Sequence, residues 1–172
     1  SVEVLEKKLE LQNRKIKALQ ILAKKAGVYG MVGGQVVDVA LTGKTPTKEQ
    51  LKFIYELKTS ALLQAALMVG ACLAGADDET LLKVEMAGLK LGMAFQIQDD
   101  ILDITSTTKK LGKPVHSDEK NKKVTFVTLE GIEDCMQMVE DFSHETSTIL
   151  DKAGCNNPFL FELIERMINR EN

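Results

Sequence analysis

Apolar residues recur at helical intervals along nearly the whole 172-residue chain. Leu5, Leu9, Ile16, Leu19, Leu22 and Ala26 follow one another at spacings of three, four and seven, which predicts an amphipathic first helix with a single apolar stripe. A second helical segment is expected over residues 28–41, ended by "TGKTP". Thr47 with Gln50 three residues on has the form of a capping box, so a long helix should start there and run to about Ala74. "GADDET" then stops and restarts the chain, with Asp77 as the cap of a helix that carries "LKLGMAFQIQDDILD". Residues 106–122 are polar, contain Gly112 and Pro114, and are expected to form a loop. Shorter helices should follow over 124–129, 132–153 and 159–170. No strand-like alternation extends beyond a few residues, so the chain is expected to be all-α, a helical bundle forming a single domain over residues 1–172.

Composition narrows the classes. Hydrophobic residues make up 44% of the chain and charged residues 27%, enough apolar material for a packed core and against disorder. A net charge of −3 gives no basic footprint, so no nucleic-acid partner is expected. Cys72, Cys135 and Cys155 form no CxxC pair and are odd in number, which suits reduced thiols. The first residues, "SVEVLEKKLELQNRKIK", are charged throughout with no apolar signal core, and a cytoplasmic location is expected. The apolar run 60–76 is short for a bilayer and holds Gln64 and two glycines, so it is expected as a buried helix and not a membrane span.

The candidate chemistry lies in polar islands on otherwise apolar helices. Gly92, Gln96, Asp99 and Asp103 are spaced four, three and four, which at 100° per residue places them within an arc of about 60° on one helix face. The other faces are almost wholly apolar, so this helix and its carboxylates should be buried. Two carboxylates one turn apart offer a half-shell to a hard cation such as magnesium; a solvated acidic patch at a helix end is the alternative. Gln35 and Asp38 form a second island. Lys58 and Thr59 form a third, where a buried lysine should meet an anion or a carboxylate. The expected loop adds Lys109, Lys110, Lys113, Asp118 and Lys123. Together these groups suggest a metal and diphosphate site at the mouth of an apolar cavity. Gly30, Gly33 and Gly34 follow no strand, so they read as helix-packing glycines and not as a phosphate loop. His116 and His144 read as incidental.

"GMAFQIQDDILD" resembles the second aspartate-rich motif of the trans-isoprenyl diphosphate synthases. "GKPVHSDEKNKKVTF" is similar to the loop after it, "YGMVGGQVVDVAL" to that family's Gly-Gly-Gln-x-x-Asp segment and "LKTSALL" to its Lys-Thr segment, in the same order. The resemblance implies magnesium-dependent condensation of an allylic diphosphate with isopentenyl diphosphate. It assigns the metal to Asp99 and Asp103 with Asp100 in support, and the ordering of that shell to Gln96. Lys58, Thr59 and Lys123 would hold the diphosphate with help from Lys113, Gln35 and Asp38 would line the cavity, and Phe95 would form its wall. His116 and Val124 depart from the family's usual Gly and small hydroxyl residue. No first aspartate-rich motif and no upstream Gly-Lys-Arg segment is matched, so the chain is expected to be a C-terminal portion. The resemblance then implies a homodimer for the complete enzyme, and self-association or contacts with a missing half, without turnover, for this chain alone. A non-catalytic helical subunit retaining the fold is the other reading.

Overall fold

The computed structural model describes the backbone of residues 1–111 and 124–169, and side chains within residues 1–105 and 124–169. Among the described residues every regular element is helical: α1 (Val2–Ala26), α2 (Met31–Ala40), α3 (Lys48–Ile54), a π-helical segment (Tyr55–Ser60), α4 (Ala61–Ala74), α5 (Asp78–Leu111), α6 (Phe126–Glu130), α7 (Ile132–Lys152) and α8 (Pro158–Ile168). The all-α expectation holds.

Local chemistry accounts for most of the boundaries. Thr47 Oγ1 accepts from the Gln50 amide while Gln50 Oε1 accepts from the Thr47 amide, the reciprocal capping box read from the sequence. Asp77 Oδ1 takes the Thr80 amide at 2.8 Å and opens α5. Gly75 ends α4 in the left-handed conformation at φ 95°, which a side chain rarely adopts. Asn157 caps α8, with Pro158 as its first residue.

Two expectations need correction. The helix opened by Thr47 is not uniformly α: a six-residue π segment interrupts it, with Ser60 Oγ donating to the Tyr55 carbonyl at 3.0 Å. The stretch read as a loop from residue 106 continues as helix to Leu111, because polar side chains do not stop a helix and the first strong breaker is Gly112. The apolar stripe of α1 does not enter the core. Leu5, Leu9, Ile16, Leu19 and Leu22 are exposed, while α1 meets α4 through Ala18 and Ile21.

The core forms where α5 packs between α4 and α7. Leu91, Met93, Ala94, Ile97 and Ile101 of α5 join Tyr55 and Met68 on one side and Cys135, Val139 and Leu150 on the other. The 27-residue helical stretch Lys48–Ala74 is long and apolar enough to cross a membrane by length and composition alone, but Ala61, Gln64, Ala65, Met68 and Cys72 within it are buried in the bundle. Two glycines set the approach of α5 to this stretch. A Cβ on Gly88 would come within 2.6 Å of Gln64 Cα, and one on Gly92 within 2.4 Å of Ser60 Cα. Gly34 likewise admits α2 to the π segment, where a Cβ would meet the Lys58 nitrogen at 2.4 Å. That matches the packing role expected for it.

Backbone atoms opposite Gly92 cannot swing aside, so an added methyl has to push the helices apart. Gly92→Ala is predicted to cost about 1–3 kcal/mol, as overpacking of a tight core does. Urea unfolding of the two chains measures this, and equal midpoints would show that the contact is loose.

Candidate functional site

The π segment places consecutive residues against two different helices. Lys58 Nζ donates to Asp38 Oδ2 of α2 at 2.5 Å, joining two of the three islands. Thr59 Oγ1 donates to Gln96 Oε1 of α5 at 2.7 Å, joining the third. Gln35, three residues before Asp38, is exposed on α2. Lys58 thus meets a carboxylate as expected, although it is not buried: its side chain is 36% exposed and that of Asp38 is 25% exposed. A half-exposed ion pair of this kind contributes little to stability, on the order of 1 kcal/mol or less. Its geometry leaves both groups accessible to a ligand.

The aspartates are ordered differently from the sequence reading. Asp99 is half-buried and Asp103 exposed, while Asp100, the carboxylate off the stripe, is buried at 5% exposure. Ile104 is also exposed, so α5 is wrapped by the bundle at its middle and emerges near its aspartates. The expectation of burial all round fails there: Asp100 and Ile101 still face the core, while Asp103 and Ile104 lie on the open side. Phe95, one turn before Asp99, is half-buried.

Asp100 faces inward and accepts a hydrogen bond from the Tyr55 hydroxyl, the first residue of the π segment. Tyr55 is itself buried, its ring tilted 49° against Phe126 at 5.2 Å between centroids. Burial, and after it the nearby charge of Asp100 and the hydrogen bond to it, holds the Tyr55 phenol well above its ordinary value. Burial and then the Asp100 charge push the neighbouring Cys135 thiol up to about 11. The sequence reading missed Tyr55. The available signal was a tyrosine in an apolar helix, whose hydroxyl needs a partner when buried.

Gln96, Asp99 and Asp103 share one face of α5, and Gln96 at one end of it is bonded to Thr59. Two carboxylates with an amide oxygen beside them suit magnesium, which keeps several of its waters and prefers oxygen ligands. Among the described residues no cluster of three His, Cys, Asp or Glu closes round a metal, so the fit is that of an open half-shell. Asp100, expected to support the metal, instead faces the core, where it is held by Tyr55. Lys113, Lys123, His116 and Asp118, together with the side chains of Lys109 and Lys110, lie outside the described residues. A separate cleft of about 420 Å³ is lined by Lys25, Leu57, Ala61, Gln64, Glu85 and Leu89 among others, and by none of the site residues. In it Lys25 pairs with Glu85 at 2.5 Å and with Gln64.

An all-α bundle in which an aspartate-rich helix is bonded to a Lys-Thr turn has the isoprenoid-synthase fold, and solved structures bear this out. A Helicobacter pylori geranyltransferase complexed with magnesium and isoprenyl diphosphate superposes with a TM-score of 0.69 at 32% identity, covering 91% of this chain and 52% of that one. The polyprenyl synthetase model matches residues 2–153, and the chain belongs to that family. It is 40% identical over 158 residues to a geranylgeranyl diphosphate synthase of Cyanophora paradoxa, across 91% of this chain and 53% of that protein. It is 34% identical over 167 residues to a farnesyl diphosphate synthase of Bacillus subtilis, across 97% and 54%. The chain therefore spans about half the length of these curated relatives.

The raised phenol value has a consequence for stability. In the unfolded chain a tyrosine ionises near its ordinary value of 10.0, whereas folded Tyr55 stays protonated. The stability this group contributes is complete below that pH and declines as pH rises through it, because only the unfolded state gains by ionising. In a Tyr29→Phe background, where Tyr55 is the remaining tyrosine, tyrosinate absorbance is expected to appear only with unfolding. A smooth titration near pH 10 with the fold intact would contradict the buried bond.

Proposed function

We propose that this chain supplies one wall of a prenyltransferase site, for the magnesium-dependent condensation of an allylic diphosphate with isopentenyl diphosphate in farnesyl or geranylgeranyl diphosphate synthesis. The observation that carries the reading is the joining of Lys58 to Asp38 and of Thr59 to Gln96, which brings three separate segments together one helical turn from Asp99. Family membership and relatives with that chemistry in their names support it.

Lys58 and Thr59 bind the diphosphate, the ammonium by charge and the hydroxyl by turning its one proton from Gln96 to the ligand. Asp38 holds the lysine in place until the ligand arrives. Asp99 and Asp103, with Gln96 between Thr59 and the carboxylates, would hold magnesium. When bound, the metal neutralises negative charge that develops on the pyrophosphate as the carbon–oxygen bond breaks. Lys58 contributes to the same stabilisation from the protein side. The allylic carbocation left behind is attacked by the double bond of isopentenyl diphosphate, and loss of a proton completes the condensation. Phe95 stands on the same helix one turn before Asp99 and shields this cation from water, which would quench it.

Calorimetric titration of the 172-residue chain with pyrophosphate tests the reading. Binding is expected to tighten with magnesium. Lys58→Met should weaken pyrophosphate binding with and without the metal, by about tenfold for a lost charged hydrogen bond of roughly 1.5 kcal/mol. Asp99→Ala should remove the magnesium dependence and leave the metal-free affinity in place. An unaltered chain that binds pyrophosphate identically with and without magnesium would refute the assignment.

A further inference from the structure

Two hydrogen bonds tie the π segment to α5. Thr59 reaches Gln96 and Tyr55 reaches Asp100, so each pair of partners is four residues apart and the two segments run antiparallel. Both hydroxyls donate from a segment whose backbone is already pressed onto α5 at Gly92. Thr59 belongs to the proposed diphosphate site, and its hydroxyl is claimed by the ligand. Tyr55 does not. It is 3% exposed, seated against Phe126 and directed into the core.

We infer that Tyr55 is a positioning residue for the proposed metal and diphosphate site: by holding Asp100 it fixes the rotation of α5 about its own axis relative to the π segment carrying Lys58 and Thr59. The inference rests on the function proposed above. Asp99 and Asp100 are adjacent, so a turn of α5 that releases one displaces the other. With side-chain ends about 5–6 Å from a helix axis, a rotation of roughly 20° moves a carboxylate about 2 Å. Functional groups need placement to within about 0.5 Å, so such a turn would take Asp99 out of reach of a ligand anchored on Lys58. Gly88 and Gly92 set how close the helices come and which face of α5 meets the π segment. The polar bond at Asp100 then fixes the angle at the turn that carries Asp99.

Tyr55→Phe tests this by keeping the ring on Phe126 and removing only the donor. The readout is the magnesium concentration that half-saturates pyrophosphate binding by the 172-residue chain. Loss of an outer partner that orients a metal site costs about 10- to 100-fold in metal affinity, so the midpoint should rise roughly tenfold or more. Metal-free pyrophosphate affinity, carried by Lys58, should stay within about twofold on the same account. Ile164→Val, a core change on α8 that leaves the Tyr55 hydroxyl and its acceptor in place, controls for stability: it should lower the melting temperature and leave the midpoint alone. Asp100→Asn, which keeps a side-chain oxygen to accept from the Tyr55 hydroxyl, should hold the midpoint nearer that of the unaltered chain and serves as the test if Tyr55→Phe does not fold. An unchanged midpoint in Tyr55→Phe, an equal shift in Ile164→Val, or a tenfold loss in a folded Asp100→Asn would each overturn the inference. Absence of magnesium-dependent binding in the unaltered chain would instead remove the proposed function and the inference with it.

Discussion

The approach of the π segment to α5 at Gly92 is the constraint on which the remaining structure depends. Space there is so limited that a single methyl would lie 2.4 Å from Ser60 Cα, and Ser60 is completely buried. That approach carries α4 along α5 as far as Gly88 and brings Tyr55 and Thr59 within bonding distance of Asp100 and Gln96. Through Gly34 it also sets α2, and with it Asp38, against Lys58. A π turn has one residue more than an α turn, and such turns recur at functional sites. Here it separates the duties of near neighbours: Tyr55 and Ser60 serve the core, while Lys58 and Thr59 face the site.

The resulting platform sorts its charges by depth. Asp100 is buried and satisfied by a hydroxyl, Asp99 is half-buried, and Asp103 is exposed where α5 leaves the bundle. A carboxylate in the interior is tolerable when hydrogen-bonded, and its bond then contributes orientation more than stability. The accessible carboxylates, by contrast, retain the freedom to exchange water for ligand. An open half-shell of this kind agrees with a chain that spans about half the length of its relatives.

Much of this was legible in the sequence. The spacing of Gln96, Asp99 and Asp103 fixes a shared face whatever the tertiary structure, and the capping box at Thr47 and the packing role of Gly34 follow from local chemistry. The pairing of Lys58 with an acid was foreseeable from the cost of a cation among apolar residues. Other features depend on partners far away in the chain. The bond from Tyr55 to Asp100 spans 45 residues, and nothing near either residue marks the other. The π turn is a backbone register that hydrophobic periodicity does not encode. The exposure of Asp103 was misread because an apolar pattern says that a face can be covered, and only the neighbouring helices decide whether it is.

The central claim is that the π segment and the aspartate-bearing turns of α5 act as one body toward one ligand. Amide hydrogen exchange, followed by mass spectrometry while pyrophosphate is titrated into the chain at fixed magnesium, measures this directly. The account predicts that exchange in peptides covering Tyr55–Ser60 and residues 96–103 slows together, with the same ligand midpoint. Protection of one without the other, or midpoints that differ, would contradict it.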